Sequence, residues 1–182
     1  MSGPELILVR SLTDSDMGLF AAHRKATASR QRAIALTSPA AERLLHPSIV
    51  RNKGGDYDCI CIFGPAMNRE MRRINKGGKN WRLGGAKLEH DVFRELDSRD
   101  FLLVRSVPHN DGSSPMLMTF VGRRSQCLIQ AGLAATLADG VLQHNVAIFE
   151  EDHARFSALA ELFPPIPAHV AVQPAIQQAA LL

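Results

Sequence analysis

The stretch REMRRINKGGKNWR, Arg69 to Arg82, decides how this chain folds. A helix running through it would carry Gly77 and Gly78 in its middle, each costing about 1 kcal/mol relative to alanine. Further glycines bracket it at Gly64 and at Gly84-Gly85. The segment is therefore predicted to be extended and hairpin-like. It also holds six of the chain's 21 Lys and Arg, with Glu70 as its one carboxylate. A second basic stretch, HRKATASRQR (His23 to Arg32), holds four more and no carboxylate. Long aliphatic side chains are scarce in both, and compact apolar runs flank them. The pattern is that of two solvated arms rooted on one packed core.

Working outward, ELILVRSL (Glu5 to Leu12) is a predicted strand with Ile7 and Val9 on one face, and RAIALT (Arg32 to Thr37) is a second. Ser38-Pro39 opens a short helix, with Ser38 as its N-cap and Leu44 and Leu45 toward the core, and Pro47 ends it. Asn52 to Gly55 reads as a turn and Tyr57 to Phe63 as a buried strand. Asp91 to Leu96 suits one helical turn. Phe101 to Val107 and Met116 to Val121 are strands joined through an Asp111-Gly112 hairpin turn. Two helices are expected after Arg124, over Gln126 to Leu137 and Glu150 to Phe163. Many short strands and few intervening helices give a mainly β (α+β) fold, a barrel-like core with short flanking helices and two protruding arms.

The chain of 182 residues is 46% hydrophobic, enough for one cored domain. Residues 1–165 are assigned to that domain. Residues 166–182, proline-containing and almost uncharged, are expected to be a linker or tail toward a further unit. From Ser125 onward the charges are Asp139, Glu150, Glu151, Asp152 and Glu161 against Arg155 alone, so the positive surplus lies upstream. A basic body with an acidic end fits a polyanion on one face. Three cysteines (Cys59, Cys61 and Cys127) cannot frame a disulfide scaffold. Cys59 and Cys61 alternate within YDCICIF and read as small buried hydrophobes. Reduced thiols, no signal peptide and no run of about 20 apolar residues fit a soluble, cytoplasmic protein with no membrane association.

Catalytic patterns are thin. His23-Arg24-Lys25 contains an HxK pattern but lacks the aspartate that phospholipase D-type nucleases place a few residues on. No Glu-x-Lys or Asp-x-Lys tripeptide occurs, and no phosphate-cradling GxxxxGK[ST] loop. No catalytic residue, metal ligand or cofactor is assigned. Recognition chemistry is better supplied. Arginine pairs with guanine, asparagine with adenine, and a carboxylate accepts from cytosine N4 in the major groove. Arg69, Arg72 and Arg73 offer the first. Glu70 either pairs internally with Arg72 or Arg73 or reads a cytosine. Trp81 either anchors its arm to the core or stacks on a base. Lys53, Lys76 and Lys87 suit phosphate contacts. The alternatives are a small Mg-dependent or HxK-type nuclease, and a non-specific RNA or single-strand binder, for which 5% aromatic residues offer few stacking platforms.

The order of these pieces resembles the N-terminal DNA-binding effector domain of EcoRII-type restriction endonucleases, a B3-like DNA-binding pseudobarrel. The resemblance is carried by RSLTDSDMG followed by His23, the strand RAIAL, the helix AAERLLHPSI, the arm NREMRRI leading to WRLGG, and Asp100 with FLLVRSV and LMTFVGR. It spans roughly residues 7–124. The resemblance implies two arms, Thr13 to Arg32 and Asn68 to Arg82, gripping double-stranded DNA and reading a 5′-CCWGG-type site in the major groove. Carried over by position, the first arm offers Asp16, His23, Arg24, Lys25, Arg30 and Arg32. The second offers Asn68, Arg69, Glu70, Arg72, Arg73, Asn75, Lys76, Lys79, Asn80, Trp81 and Arg82. It further implies a monomeric, non-catalytic segment of a type II restriction enzyme, with a separate nuclease domain C-terminal to it. The first arm departs from the family in being longer and more basic than its glycine-rich version, and Gly77 to Asn80 looks inserted.

Overall fold

Short apolar runs and alternating segments form nine strands among the described residues. The computed structural model describes residues 4–26, 31, 33–45, 50–51, 57–63, 68–84, 88–106, 116–122, 132–135, 137–138, 141–143 and 145–163. The strands are β1 (Leu6–Ser11), β2 (Ile34–Leu36), β3 (Tyr57–Phe63), β4 (Asn68–Gly77), β5 (Asn80–Gly84), β6 (Phe101–Ser106), β7 (Met116–Val121), β8 (Val141–Gln143) and β9 (Val146–Glu150). They form one sheet in the order β2-β5-β4-β3-β7-β6-β1-β9-β8. All pairings are antiparallel except β3 with β7. Among the described residues the helices with defined bounds are short: α1 (Ser38–Leu44) and α2 (Phe156–Ala160), with 3-10 turns at Asp16–Leu19, Ala21–His23 and Asp91–Glu95. Residues 50–51, 132–135 and 137–138 are also helical, the last two stretches around the helix expected over Gln126 to Leu137. The fold is mainly β with few short helices, as predicted.

The sheet is curled. Helix α1 packs against β5 on one side and against β1 and β9 on the other. β5 and β9 are six strand spacings apart in the order, which is about 29 Å across a flat sheet. A seven-residue helix is only about 10 Å long. It reaches both only because the sheet wraps around it. The inner face accordingly carries one continuous buried cluster, from Ile34 and Leu36 of β2 through Ile74, Trp81, Leu102 and Val104 to Val146 of β9. Ion pairs fasten the wrap, Lys76 of β4 to Glu42 of α1 at 3.6 Å and Arg43 of α1 to Glu150 of β9.

The outer face of β1, β6, β7 and β9 holds a second cluster, in which Ile7, Val9, Leu103 and Phe149 pack under Phe156, Leu159 and Phe163 at α2. β1 is thus buried on both faces: Ile7 and Val9 point outward to α2, and Leu6 and Leu8 inward.

Several expectations shift. Thr37, not Ser38, is the N-cap of α1. The Ser38 hydroxyl instead donates to the Lys79 carbonyl at 2.6 Å and accepts from Lys76 Nζ at 2.6 Å. Glu150 closes β9 rather than opening a helix, because VAIFE pairs with β1, which sends Val146 and Ile148 to the inner cluster and Ala147 and Phe149 to the outer one. Its carbonyl accepts from His153 N in the turn that follows, and α2 starts only at Phe156. β8 and β9 have no counterpart among the predicted strands. Pro47, the Asn52–Gly55 turn, the Asp111-Gly112 turn and the 166–182 tail lie outside the described residues.

Cys61 is fully buried, as expected of a small core residue. Burial pushes its thiol from 9.0 up to about 12; nearby Arg72 pulls the other way, and Glu70 adds a smaller upward push. The folded state therefore holds this proton more tightly than the unfolded chain. The resulting stability is complete below pH 9 and is lost as pH rises from about 9 to about 12. Peptide mapping after alkylation at pH 8 is expected to find Cys61 unmodified in the native protein and modified in denaturant. Rapid native labelling would contradict its burial.

Candidate nucleic-acid interface

A β-strand sends consecutive side chains to opposite faces, and this sorts the second basic segment. Along β4, Arg72 and Ile74 are buried inward, with Glu70 and Lys76 on the same face. Arg69, Met71, Arg73 and Asn75 point outward. On β5, Trp81 and Leu83 are buried while Asn80 and Arg82 are exposed. Register places Asn75 directly opposite Arg82, and Gly77 opposite Asn80. The outer-face cluster under α2 reaches Ile60 and Ile62 of β3 and includes no described residue of β4 or β5. Arg69, Arg73, Asn75, Asn80 and Arg82 therefore share one face that no described element covers, with Asn75 half-buried.

The hairpin tip is a two-residue turn, Gly78-Lys79, with Gly78 at φ 65°. Glycine enters that region without a Cβ penalty. Beside it, a Cβ on Gly77 would lie 2.5 Å from Arg82 Nε. The Arg82 side chain thus lies along the sheet toward the tip, over a residue that has no side chain. Next to it is a surface groove of about 410 Å³, lined by Gln31, Ala33, Ala35, Gly77, Lys79, Asn80 and Arg82. The end of the first basic segment and the tip of the second meet there.

The structure removes other expected residues from the surface. Arg72 is 1% exposed, and its Nη1 lies 3.6 Å from Glu70 Oε2. Glu70 is thus paired internally, the first of its two readings. Trp81 is fully buried, the anchor rather than the stacking platform. Lys76, expected on a phosphate, caps the Trp81 ring at 5.3 Å and ties down Ser38 and Glu42. Asn68 Nδ2 lies 3.3 Å from His90 Nε2.

Nor does Thr13 to His23 protrude. Met17, Leu19 and Phe20 are core residues, and Leu88 is stitched to Leu19 and Ala21 by backbone hydrogen bonds. Asp16 is 1% exposed: it pairs with Arg10 at 2.8 Å and accepts from Thr13 N and Oγ1. This closes a turn, with the carboxylate buried. His23 Nε2 lies 2.8 Å from the Phe93 carbonyl. Of the rest of that arm, Arg24 is half-buried and Lys25 exposed, while Arg30 and Arg32, with Lys53 and Lys87, lie outside the described residues. Met71, at 58% the one large exposed hydrophobic side chain among the described residues, has no place among the expected site residues. The period-two alternation between Arg69 and Arg73 would have found it.

Curled sheet and cationic outer face define a mainly β pseudobarrel with an exposed basic hairpin. No family model and no curated protein matches the chain. Among solved structures, the chain is similar to a crystal structure of the UbaLAI restriction endonuclease B3 domain with cognate DNA, at 11% identity and a TM-score of 0.49, covering 82% of this chain and 89% of that one. A likeness that distant transfers neither residues nor partners.

Proposed function

We propose that this protein recognises double-stranded DNA through the outer face of the β4–β5 hairpin, seated in the major groove. It acts as the monomeric targeting module of a type II restriction endonuclease whose nuclease domain is a separate unit. One observation carries the DNA reading: the register gathers Arg69, Arg73, Arg82, Asn75 and Asn80 on one face that no described element covers. These are the residue types that pair with guanine and adenine edges and with phosphates. The restriction-enzyme role and the 5′-CCWGG-type site are supported by the collinear sequence motifs.

Fluorescence anisotropy with the full chain, at about 0.15 M salt, tests this. A CCWGG duplex is expected to bind about 10³-fold or more tightly than a scrambled one. Equal affinities would remove sequence recognition, and equal competition by single strands would favour the non-specific binder. Nicking of plasmid in Mg²⁺ by this segment alone would replace targeting with catalysis.

A further inference from the structure

We infer that Met71 reads a thymine methyl group in the bound duplex; this rests on the DNA reading above. Met71 lies on the outer face of β4, opposite Ile60 of β3 in register, with exposed Arg69 and Arg73 two residues to either side. An apolar side chain between two cations gains nothing from water and interrupts a surface otherwise suited to phosphates and guanine. A partner complementary to it is anionic around the rim and apolar at the centre. Duplex DNA offers that combination in the major groove, where the thymine C5-methyl is the apolar group on a base edge. The spacing agrees: residues two apart on a strand are about 6.7 Å apart, close to two base steps at about 3.4 Å. The outer face of a curled sheet is convex, the shape a groove admits.

The test uses the full chain and the tightest duplex selected from a random pool, with each thymine replaced in turn by deoxyuridine. Loss of one buried methyl is expected to weaken wild-type binding about fourfold at one position. Met71→Ala is expected to bind the thymine and uracil duplexes equally, and Met71→Leu to restore the preference. Thermal melting of each variant confirms folding. Indifference of the wild-type protein to every replacement overturns the methyl contact while leaving DNA binding intact. Retention of no duplex at low salt overturns the DNA reading and this inference together. A change in the mass of the DNA-free protein on Met71→Ala would make the strip a self-association surface and also overturn the inference.

Discussion

Replacing Arg69, Arg73 and Arg82 together by alanine is expected to reduce duplex affinity by two orders of magnitude or more at fixed salt, with little change in melting temperature. Each base-reading arginine contributes about 1–3 kcal/mol, so three give about 3 kcal/mol at the least. All three are exposed on the outer face, where substitutions usually move stability by about 0.5 kcal/mol or less. The slope of log affinity against log salt is expected to fall by about one for each phosphate that an arginine no longer neutralises. Arg72→Ala supplies the contrast. It removes a buried guanidinium beside Glu70, so stability drops while the folded fraction keeps its affinity. An affinity drop from Arg72→Ala equal to that of the triple variant, at unchanged stability, would place the interface on the wrong face.

Trp81→Ala is the second large effect, and it falls on folding. The indole is fully buried in the inner cluster, under Lys76 and between Leu36 of β2 and Lys76 of β4 in register. Emptying such a site costs about 3–5 kcal/mol, against a total stability of about 5–15 kcal/mol for a typical domain. Trp81→Phe is expected to cost much less, because the indole N–H has no acceptor among the described residues. Urea denaturation followed by far-UV circular dichroism measures both. A Trp81→Ala protein that is equally stable but binds DNA poorly would restore the stacking role.

The hairpin, the strands from β1 to β7 and the mainly β class were legible because glycine placement and alternation act locally. Gly77-Gly78 weighs against a helix by about 1 kcal/mol per glycine from within the segment itself, and ELILVRSL is a strand on its own pattern. β8 and β9 were not legible. VLQ is three residues long and VAIFE runs into acids that mimic a helix start, so only pairing with β1 and between themselves fixes them.

Amino-acid order alone determined that Arg69 to Arg82 would be extended and strongly basic, since both properties belong to the segment itself. Which arginines meet solvent was decided by the tertiary structure. Arg72 and Arg73 are adjacent and chemically identical, yet the curl of the sheet buries one beside Cys61 and Glu70 and exposes the other. Asp16 and Trp81 went into the core in the same way, and Lys76 was turned onto the Trp81 ring. Inside and outside are properties of a closed surface, and no single strand has one until its neighbours have folded around it.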